Sequence, residues 1–411
     1  MATLVSKWFF VHVFGIGRAG WWFFWTALRG IMYNGAMSTM IRTLLMLLAF
    51  LGLCGFYVLE KRRNQRALRS FLAVIHVNGI RGKTSVCRML DAVLRQRYRV
   101  LTKTTGSDPR ILDVAGNDRA IPRLGPANIS EQLRTLRRAS RERAQIVIIE
   151  CMATRPDLQE ISQAQIVQGS MAVITNVRLD HILDMGATKD EIAVVLAATI
   201  PQKGTLYTAD AEYYPYFARE ADSRGSHAVL CAQDPGGHEN ESIVRAIAAA
   251  LNVPEEAIDE GLAHIRPDIG MRSLCKMRNA KGEPCTFLNL FAANDPLSAW
   301  QRLQTLSEGF EEICFVYHNR WDRPDRALLF AQHFFPKVPQ ARVFLLGDDR
   351  PLAQRLFLKH TPTLTLSPAP RWEACLDIPS GSLLVGLGNI KGEATRMLDA
   401  FQREEGMATD A

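Results

Sequence analysis

No two of the eight cysteines lie in a CxxC arrangement; Cys54, Cys87, Cys151, Cys231, Cys275, Cys285, Cys314 and Cys375 are scattered along the chain. That excludes the spacing of a structural zinc site and leaves no disulfide framework, and buried, reduced thiols fit the pattern. Internal repeats and low-complexity tracts are missing as well. So is any positive excess in the body of the chain. Nine Lys or Arg (Lys7, Arg18, Arg29, Arg42, Lys61, Arg62, Arg63, Arg66, Arg69) against one acid, Glu60, give residues 1–70 a charge of +8; the whole chain carries +7, which leaves −1 for residues 71–411. A nucleic-acid enzyme is expected to carry its basic patch on its folded domains, so nucleic acid is not the expected partner. The basic residues sit instead beside the most apolar stretch, which points to membrane lipid.

That stretch, Thr43 to Leu59 (TLLMLLAFLGLCGFYVL), is uncharged and 17 residues long, at the short end of what spans a bilayer. Arg42 and Glu60-Lys61-Arg62-Arg63 bracket it and can reach the headgroups. No small-residue cleavage site follows before the basic run, which argues against a signal peptide. The positive-inside rule puts the Lys61–Arg69 side, and everything after it, in the cytoplasm. Residues 8–33, with Trp8, Trp21, Trp22 and Trp25 interrupted by His12, Arg18 and several glycines, read either as an interfacial aromatic helix or as a second transmembrane helix.

Apolar content of 47% with 22% charged residues describes a folded protein, and 411 residues hold two ordinary domains and something extra. After residue 70, β-rich runs alternate with helical stretches, the pattern of an α/β fold around a mainly parallel sheet. Strands are predicted at Ala73–Val77, Arg99–Thr104, Gln145–Glu150, Met171–Thr175, Thr205–Thr208 and Ala228–Cys231, with helices near 84–97, 129–142, 188–199, 212–223 and 239–251. A loop-rich zone from Arg266 to Pro284 reads as a domain boundary. Beyond it come strands at Thr286–Leu290, Ile313–Tyr317, Arg342–Leu346 and Leu383–Val385, with helices at 296–307, 325–333, 350–358 and 391–402. The expected division is a membrane anchor over 1–70, a central P-loop ATP-binding domain over 71–270 and a C-terminal Rossmann-like domain over 271–411.

The run AVIHVNGIRGKTSVCRMLDAVL, residues 73–94, reads as strand, glycine loop and amphipathic helix. Gly79 and Gly82 let backbone N–H groups turn toward phosphate oxygens, and the helix N-terminus adds partial positive charge. Lys83 would reach the terminal phosphates and Thr84 would place its hydroxyl on Mg²⁺. Val77 stands where the first glycine of the full GxxxxGK[ST] pattern belongs, so the motif is the shorter GxxGKT. Arg81, inside the loop, reads either as a charge-neutralising group or as a solvated one. Glu150, at the tip of the apolar run QIVIIE, is the expected carboxylate for the metal ion. TNVRLDHILDMG, residues 175–186, brings Asp180, His181 and Asp184 to the same edge.

The order GxxGKT, strand-end Glu, TN and then DH resembles the Mur ligases and folylpolyglutamate synthases. Within that family NGIRGKTS (78–85), KTTGSD (103–108), ECMA (150–153), ANDP (293–296), NRWDRPDR (319–326) and GLGNIKG (386–392) resemble the ligase subunits of poly-γ-glutamate synthases. The resemblance spans residues 43–405 and implies an ATP-dependent acid–amino-acid ligase. It would activate a glutamate or polyglutamate carboxylate as an acyl phosphate and join it to the amine of glutamate, releasing ADP and phosphate. ATP and Mg²⁺ are the implied cofactors, and small membrane subunits of a synthase complex the implied partners. Residue by residue, Gly79, Arg81, Gly82, Lys83, Thr84, Ser85, Asn176 and Arg272 would meet the nucleotide. Thr84 and Glu150 would ligate Mg²⁺, and His181 a second ion. Thr104, Thr105, Asn294, Asp295, Arg320 and Arg323 would face the substrates, with Asp322, Asp325 and Arg326 completing a charged cluster. Lys83, His181, Asp295 and Arg323 are the implied catalytic set.

Three departures stand out. Many Mur enzymes carry a carbamylated lysine on the helix after DH; here that helix reads KDEIAVVLAATI, with Lys189 only at its start, so either the second ion is held differently or no carbamate is used. Asp184 lies three residues past His181, where the family's acid lies two past. The uridine-nucleotide-binding N-terminal domain is replaced by the apolar segment, which argues against a nucleotide-linked precursor. Two other readings stay open: a membrane-tethered P-loop ATPase energising export or assembly, which leaves DH and ANDP unexplained, and a folylpolyglutamate-type ligase, which needs no anchor.

Overall fold

The structure, a computed structural model, describes residues 39–105, 109–122, 128–231, 239–265, 274–291, 293 and 295–409. The aromatic segment 8–33, Arg272 and Asn294 lie outside the described residues. The chain packs as two units. The first holds the described residues up to Val177 and Ala193–Ile265; the second holds Arg178–Ile192 and the described residues beyond Ile265.

The first element is a single 30-residue helix, α1 (Thr39–Leu68). It is long and apolar enough to cross a membrane by length and composition, and no residue of its most apolar window is buried. Its last turns are built differently. Asn64 and Ala67 are buried, the Asn64 amide donates to Ile166 O at 2.8 Å, Gln65 Nε2 donates to Gln168 Oε1 at 2.9 Å, and Glu60 pairs with Arg137. The apolar helix thus runs without a break into a polar seat on the first unit.

The sheet of that unit comprises β1 (Ala73–Asn78), β2 (Val100–Thr104), β3 (Arg110–Leu112), β4 (Asp118–Ala120), β5 (Ile146–Glu150), β6 (Met171–Ile174), β7 (Thr205–Thr208) and β8 (His227–Leu230), in the order β4-β3-β2-β5-β1-β6-β7-β8. All pairings are parallel except those of β3 with β2 and β4. Central β1 and β5 are buried at every position, as continuous apolar runs in a two-sided sheet should be. The helices over this stretch of chain are α2 (Lys83–Leu94), α3 (Glu131–Arg141), α4 (Pro156–Ile161), continued by a π turn over Ser162–Val167, α5 (Ile182–Met185), α6 (Lys189–Ala197), α7 (Tyr214–Ser223), α8 (Glu239–Ala250) and α9 (Glu255–Ala263), of which α5 and the start of α6 belong to the second unit. Alternate side chains separate the two cores: Ile75, Val77, Ile146 and Ile148 pack under α2, α8 and α9, whereas Val74, Val147 and Ile149 pack with α3.

The second unit carries β9 (Leu274–Arg278), β10 (Pro284–Asn289), β11 (Ile313–Asn319), β12 (Arg342–Gly347), β13 (Thr365–Pro368) and β14 (Leu383–Gly388), ordered β13-β12-β11-β14-β10-β9 with only β9 antiparallel. Helices α10 (Pro296–Leu306), α11 (Pro324–His333) and α12 (Arg350–His360) share one core with Phe315, Tyr317, Val343 and Leu345. Helix α13 (Glu393–Thr409) covers the other, with Val316, Phe344, Leu346 and Leu384.

All ten predicted strands form, with ends moved by a few residues. Four strands and three helices escape the sequence reading. β3 and β4 (RIL and DRA) are three-residue strands at the sheet's end, β4 at the edge and β3 next to it, each carrying charge and too short for an apolar run to betray them. β13 is a four-residue edge strand containing proline, and β9 lies inside the zone expected to be loop; its hairpin with β10 turns at Asn279–Gly282, so the glycine and proline there mark a turn between strands. α4, α5 and α9 are short, and nine residues or fewer give little periodicity to detect.

Candidate active site

The glycine loop begins where β1 ends. Gly79 has φ 121°, and a Cβ there would fall 2.0 Å from Thr175 Oγ1 and 2.7 Å from Thr175 N, so only glycine lets the loop pass the end of β6. Gly82 (φ 80°) precedes the first residue of α2 and lies against the Asn240 amide. Lys83 curls back over the loop, its Nζ donating to Gly79 O at 2.6 Å and Ile80 O at 3.3 Å. Thr84 and Ser85 follow in the same first helical turn, where N–H groups are not used within the helix.

Neighbouring strands brace this loop. Asn176 Oδ1 accepts from Arg81 N at 3.0 Å, Asn176 O accepts from Ile80 N at 3.1 Å, and Thr175 Oγ1 donates to Arg81 O at 2.6 Å. The TN dipeptide therefore shapes the phosphate loop from behind. On the other side, Val77 and Glu150 are paired in register, and Glu150 is buried. Its carboxylate accepts from Thr84 Oγ1 at 3.0 and 3.1 Å and from Thr105 N at 2.6 Å. A hydroxyl and a carboxylate in direct contact at the foot of a phosphate loop are the oxygen donors that a hard divalent cation takes, with phosphate and water filling the remaining positions. Among the described residues no three His, Cys, Asp or Glu converge on one point, so a larger all-protein cage is not built.

Around this site the groups are electrostatically quiet or tightly held. Burial and the Glu150 charge push the Cys87 thiol well above its usual value, and burial pushes Cys151 up to about 11, so both stay neutral thiols. All eight cysteines are free. Thr104 is buried, and its hydroxyl has no hydrogen-bond partner among the described residues. Next to it, Lys103 is wholly buried with Nζ 3.4 Å from Glu131. Burial, with the Lys103 charge adding to it, lowers His76 to about 4 against a hydrogen bond from its Nδ1 to Gln163 Oε1 that raises it.

The DH segment packs in the second unit. His181 takes a left-handed conformation (φ 54°, ψ 36°), held by Asp180 Oδ1 accepting the His181 N–H at 2.9 Å. Asp180 Oδ2 lies 3.7 Å from Arg326, which also binds Gly388 O at 3.3 Å and the Asn389 side chain. Arg323 donates to His181 Nδ1 at 2.6 Å. With Nδ1 accepting, the proton of the neutral ring sits on Nε2, and neither nitrogen offers a lone pair to a cation until Arg323 moves. The charged cluster read from NRWDRPDR is thus divided. Arg323 and Arg326 turn to the DH segment and Asp325 is buried, its carboxyl raised by that burial and by Asp180, while Arg320 and Asp322 form a surface pair at 2.6 Å beside exposed Trp321. Asp295 caps α10, accepting from Ser298 N at 2.9 Å, and Arg178 reaches Ser298 Oγ at 3.1 Å. Asp184 is exposed in the short α5. Missed from the sequence were Asn240, Asn389 and His318, whose Nδ1 lies 2.8 Å from Asn389 O; single polar residues carry no spacing that marks them.

A phosphate loop between a central parallel strand and a helix, with a strand-end carboxylate on its threonine, defines a P-loop nucleotide-binding enzyme. Residues 77–245 match the Mur ligase middle domain and residues 274–404 the poly-gamma-glutamate synthase CapB C-terminal domain. The chain is 30% identical over 394 residues to the capsule biosynthesis protein CapB of Bacillus anthracis, covering 88% of this chain and 84% of that one. It is 33% identical over 311 residues to the PGA synthase CapB of Bacillus subtilis strain 168, covering 71% and 78%. E. coli FolC in complex with DHPP and ADP has a similar fold, with TM-score 0.59, 17% identity and coverage of 84% of this chain and 92% of that one. The chain belongs to the CapB family of poly-γ-glutamate synthases, within the Mur ligases. The second unit therefore belongs to the synthase itself, which sets aside the reading of it as a docking module of an export motor.

Proposed function

We propose that the chain is an ATP-dependent amide ligase that builds poly-γ-glutamate at a membrane. The observation that carries the chemistry is the shared grip on Glu150, by the hydroxyl of Thr84 and the N–H of Thr105, directly below the phosphate loop. Loop N–H groups between Gly79 and Ser85 take the phosphates of ATP, with Asn176 and Asn240 fixing the loop's shape. Lys83 leaves the Gly79 and Ile80 carbonyls for the phosphate oxygens. Thr84 and Glu150 would hold Mg²⁺, which would supply neutralisation of phosphate charge. Thr104 and Thr105, beside Glu150, meet the acyl substrate, and Arg272 approaches the nucleotide.

A glutamate-chain carboxylate oxygen then bonds to the γ-phosphorus as the bond to ADP breaks. The incoming amine attacks the acyl carbon, phosphate leaves, and an amine proton is released. Two anions must approach in the first step, so positioning and charge neutralisation are most of the catalysis. Asn294, Asp295, Arg320 and Arg323 serve the incoming glutamate, and His181, whose Nδ1 now accepts from Arg323, would hold a second ion. Helix α1 anchors the enzyme, with both units on the cytoplasmic side by the positive-inside rule, beside small membrane subunits.

The test is ADP release by the purified chain in membranes, with each amino acid offered in turn and the product read by mass spectrometry. Glutamate-dependent ADP release with γ-linked product supports the reading. Hydrolysis indifferent to glutamate, with no amide product alongside any partner subunit, sinks it.

A further inference from the structure

The basic run after the apolar segment is only partly accounted for by topology. The single acid of the segment, Glu60, turns toward Arg137, and Asn64 and Ala67 are buried on the same side. At 3.6 residues per turn this leaves Val58, Lys61, Arg62, Gln65, Arg66 and Arg69 on the opposite face. These six line a recess of about 340 Å³. Lys61, Arg62, Arg66 and Arg69 are all exposed, and among the described residues none meets a carboxylate. Because the far side of the helix is pinned by Glu60 and Asn64, the face cannot rotate away. Four cations are therefore presented along one face of the helix, over roughly 12 Å of its axis.

We propose that this recess seats the phosphate headgroup of an anionic phospholipid. The inference rests on the reading of α1 as a membrane anchor. If the apolar run ends at Leu59, Lys61 and Arg62 lie in the headgroup layer, roughly 5–8 Å thick on each side of the hydrocarbon. Arg66 and Arg69 reach back along their own stems. Guanidinium forks match phosphate oxygens in pairs, and each basic residue near an anionic surface adds appreciably to attraction. Growing polyglutamate is also an anion. A lipid, however, uses both halves of the face, its phosphate on the cations and its acyl chains beside Val58 and the exposed leucines above. The polymer would leave the apolar half unused. A bound lipid would hold the first unit in one orientation against the membrane.

The test uses the full chain in detergent with equal phosphatidylglycerol and phosphatidylcholine, the retained lipids being counted by native mass spectrometry. The expected result is retention of phosphatidylglycerol over phosphatidylcholine by about 10-fold or more. That preference should vanish when Lys61, Arg62, Arg66 and Arg69 are all changed to Gln, and should survive Arg63→Gln, whose side chain lies outside the recess. ATP turnover in detergent, unchanged in the fourfold variant, would show that the protein is folded. The proposal is overturned if the fourfold variant keeps the preference, if Arg63→Gln loses it equally, or if the same four changes abolish polyglutamate binding and leave lipid retention untouched. An alkaline wash separates the premise: release of the wild-type chain from membranes defeats the anchor reading and this inference together, whereas retention without lipid preference defeats this inference alone.

Discussion

Thr84 Oγ1 sits 3.0 and 3.1 Å from the two carboxylate oxygens of Glu150, although the residues are 66 positions apart. Parallel pairing of Val77 with Glu150 brings them together, since the loop that leaves β1 must pass the end of β5 before α2 begins. Thr105, entering from the end of β2, closes the third side with its N–H on the same carboxylate at 2.6 Å. Three strand ends thus fix one carboxylate, and the proposed metal chemistry depends on that fixation.

Replacing Lys83 by Ala should lower ATP turnover by about 100-fold or more, as expected for loss of a preorganised charge on a transferring phosphoryl group. Its Nζ donates to the Gly79 and Ile80 carbonyls of its own loop, so thermal unfolding should change far less than turnover. Near-normal turnover in this variant, checked by coupled ADP release, would remove Lys83 from the phosphate site.

Glu150→Gln should raise the Mg²⁺ concentration needed for half-maximal activity by about 10- to 100-fold, because a ligand charge is lost. Thr84→Ser keeps the hydroxyl and should stay close to wild type, whereas Thr84→Val should follow Glu150→Gln. An unaltered Mg²⁺ titration in Thr84→Val would break the link between that hydroxyl and the ion.

Arg323 and His181 are expected to be coupled. If His181 takes a second ion, Arg323→Ala uncovers Nδ1 and should ease metal binding while weakening glutamate-stimulated turnover. His181→Ala should raise the Mg²⁺ requirement and, combined with Arg323→Ala, should add little. Metal titrations of the four proteins give the coupling directly. Additive effects would mean that the 2.6 Å contact has no part in metal binding.

Asp295→Ala separates a cap from a substrate contact. Loss of the bond to Ser298 N should cost about 1 kcal/mol of stability, read from the denaturant midpoint of the second unit. Asp295→Ser restores a capping oxygen without the charge. If activity follows capping through both variants, Asp295 is structural only; if Asp295→Ser is stable yet inactive with glutamate, the charge serves the substrate.

His76 makes stability depend on pH. Its folded value is lowered to about 4 from 6.5, so the unfolded chain binds the proton more readily. The stability contributed by keeping the ring neutral is complete above pH 6.5 and is lost as pH falls toward 4, by about 3 kcal/mol at most. His76→Gln should remove that part of the slope. Unfolding midpoints of both proteins taken between pH 7 and pH 4, roughly the window set by those two values, provide the check; parallel curves would show that His76 does not titrate across folding.

What the sequence by itself determined is the chemistry carried by local patterns. Apolar runs such as IVII had to be central strands, GxxGKT between strand and helix had to be a tight glycine turn opening a helix, and a strand-end Glu had to lie at the sheet's carboxyl edge. Each follows from neighbours within a few residues. The tertiary structure decided what depends on pairing across the chain. Strand order set Thr105 and Thr84 on one carboxylate, and packing turned Asn176 toward the loop backbone. It also sent Arg323 and Arg326 to the DH segment while leaving Arg320 on the surface. All three arginines look alike in NRWDRPDR; packing distinguishes them, since Arg326 on α11 lies beside buried Asp180, Arg323 at its N-cap reaches His181, and Arg320 stays in the loop after β11.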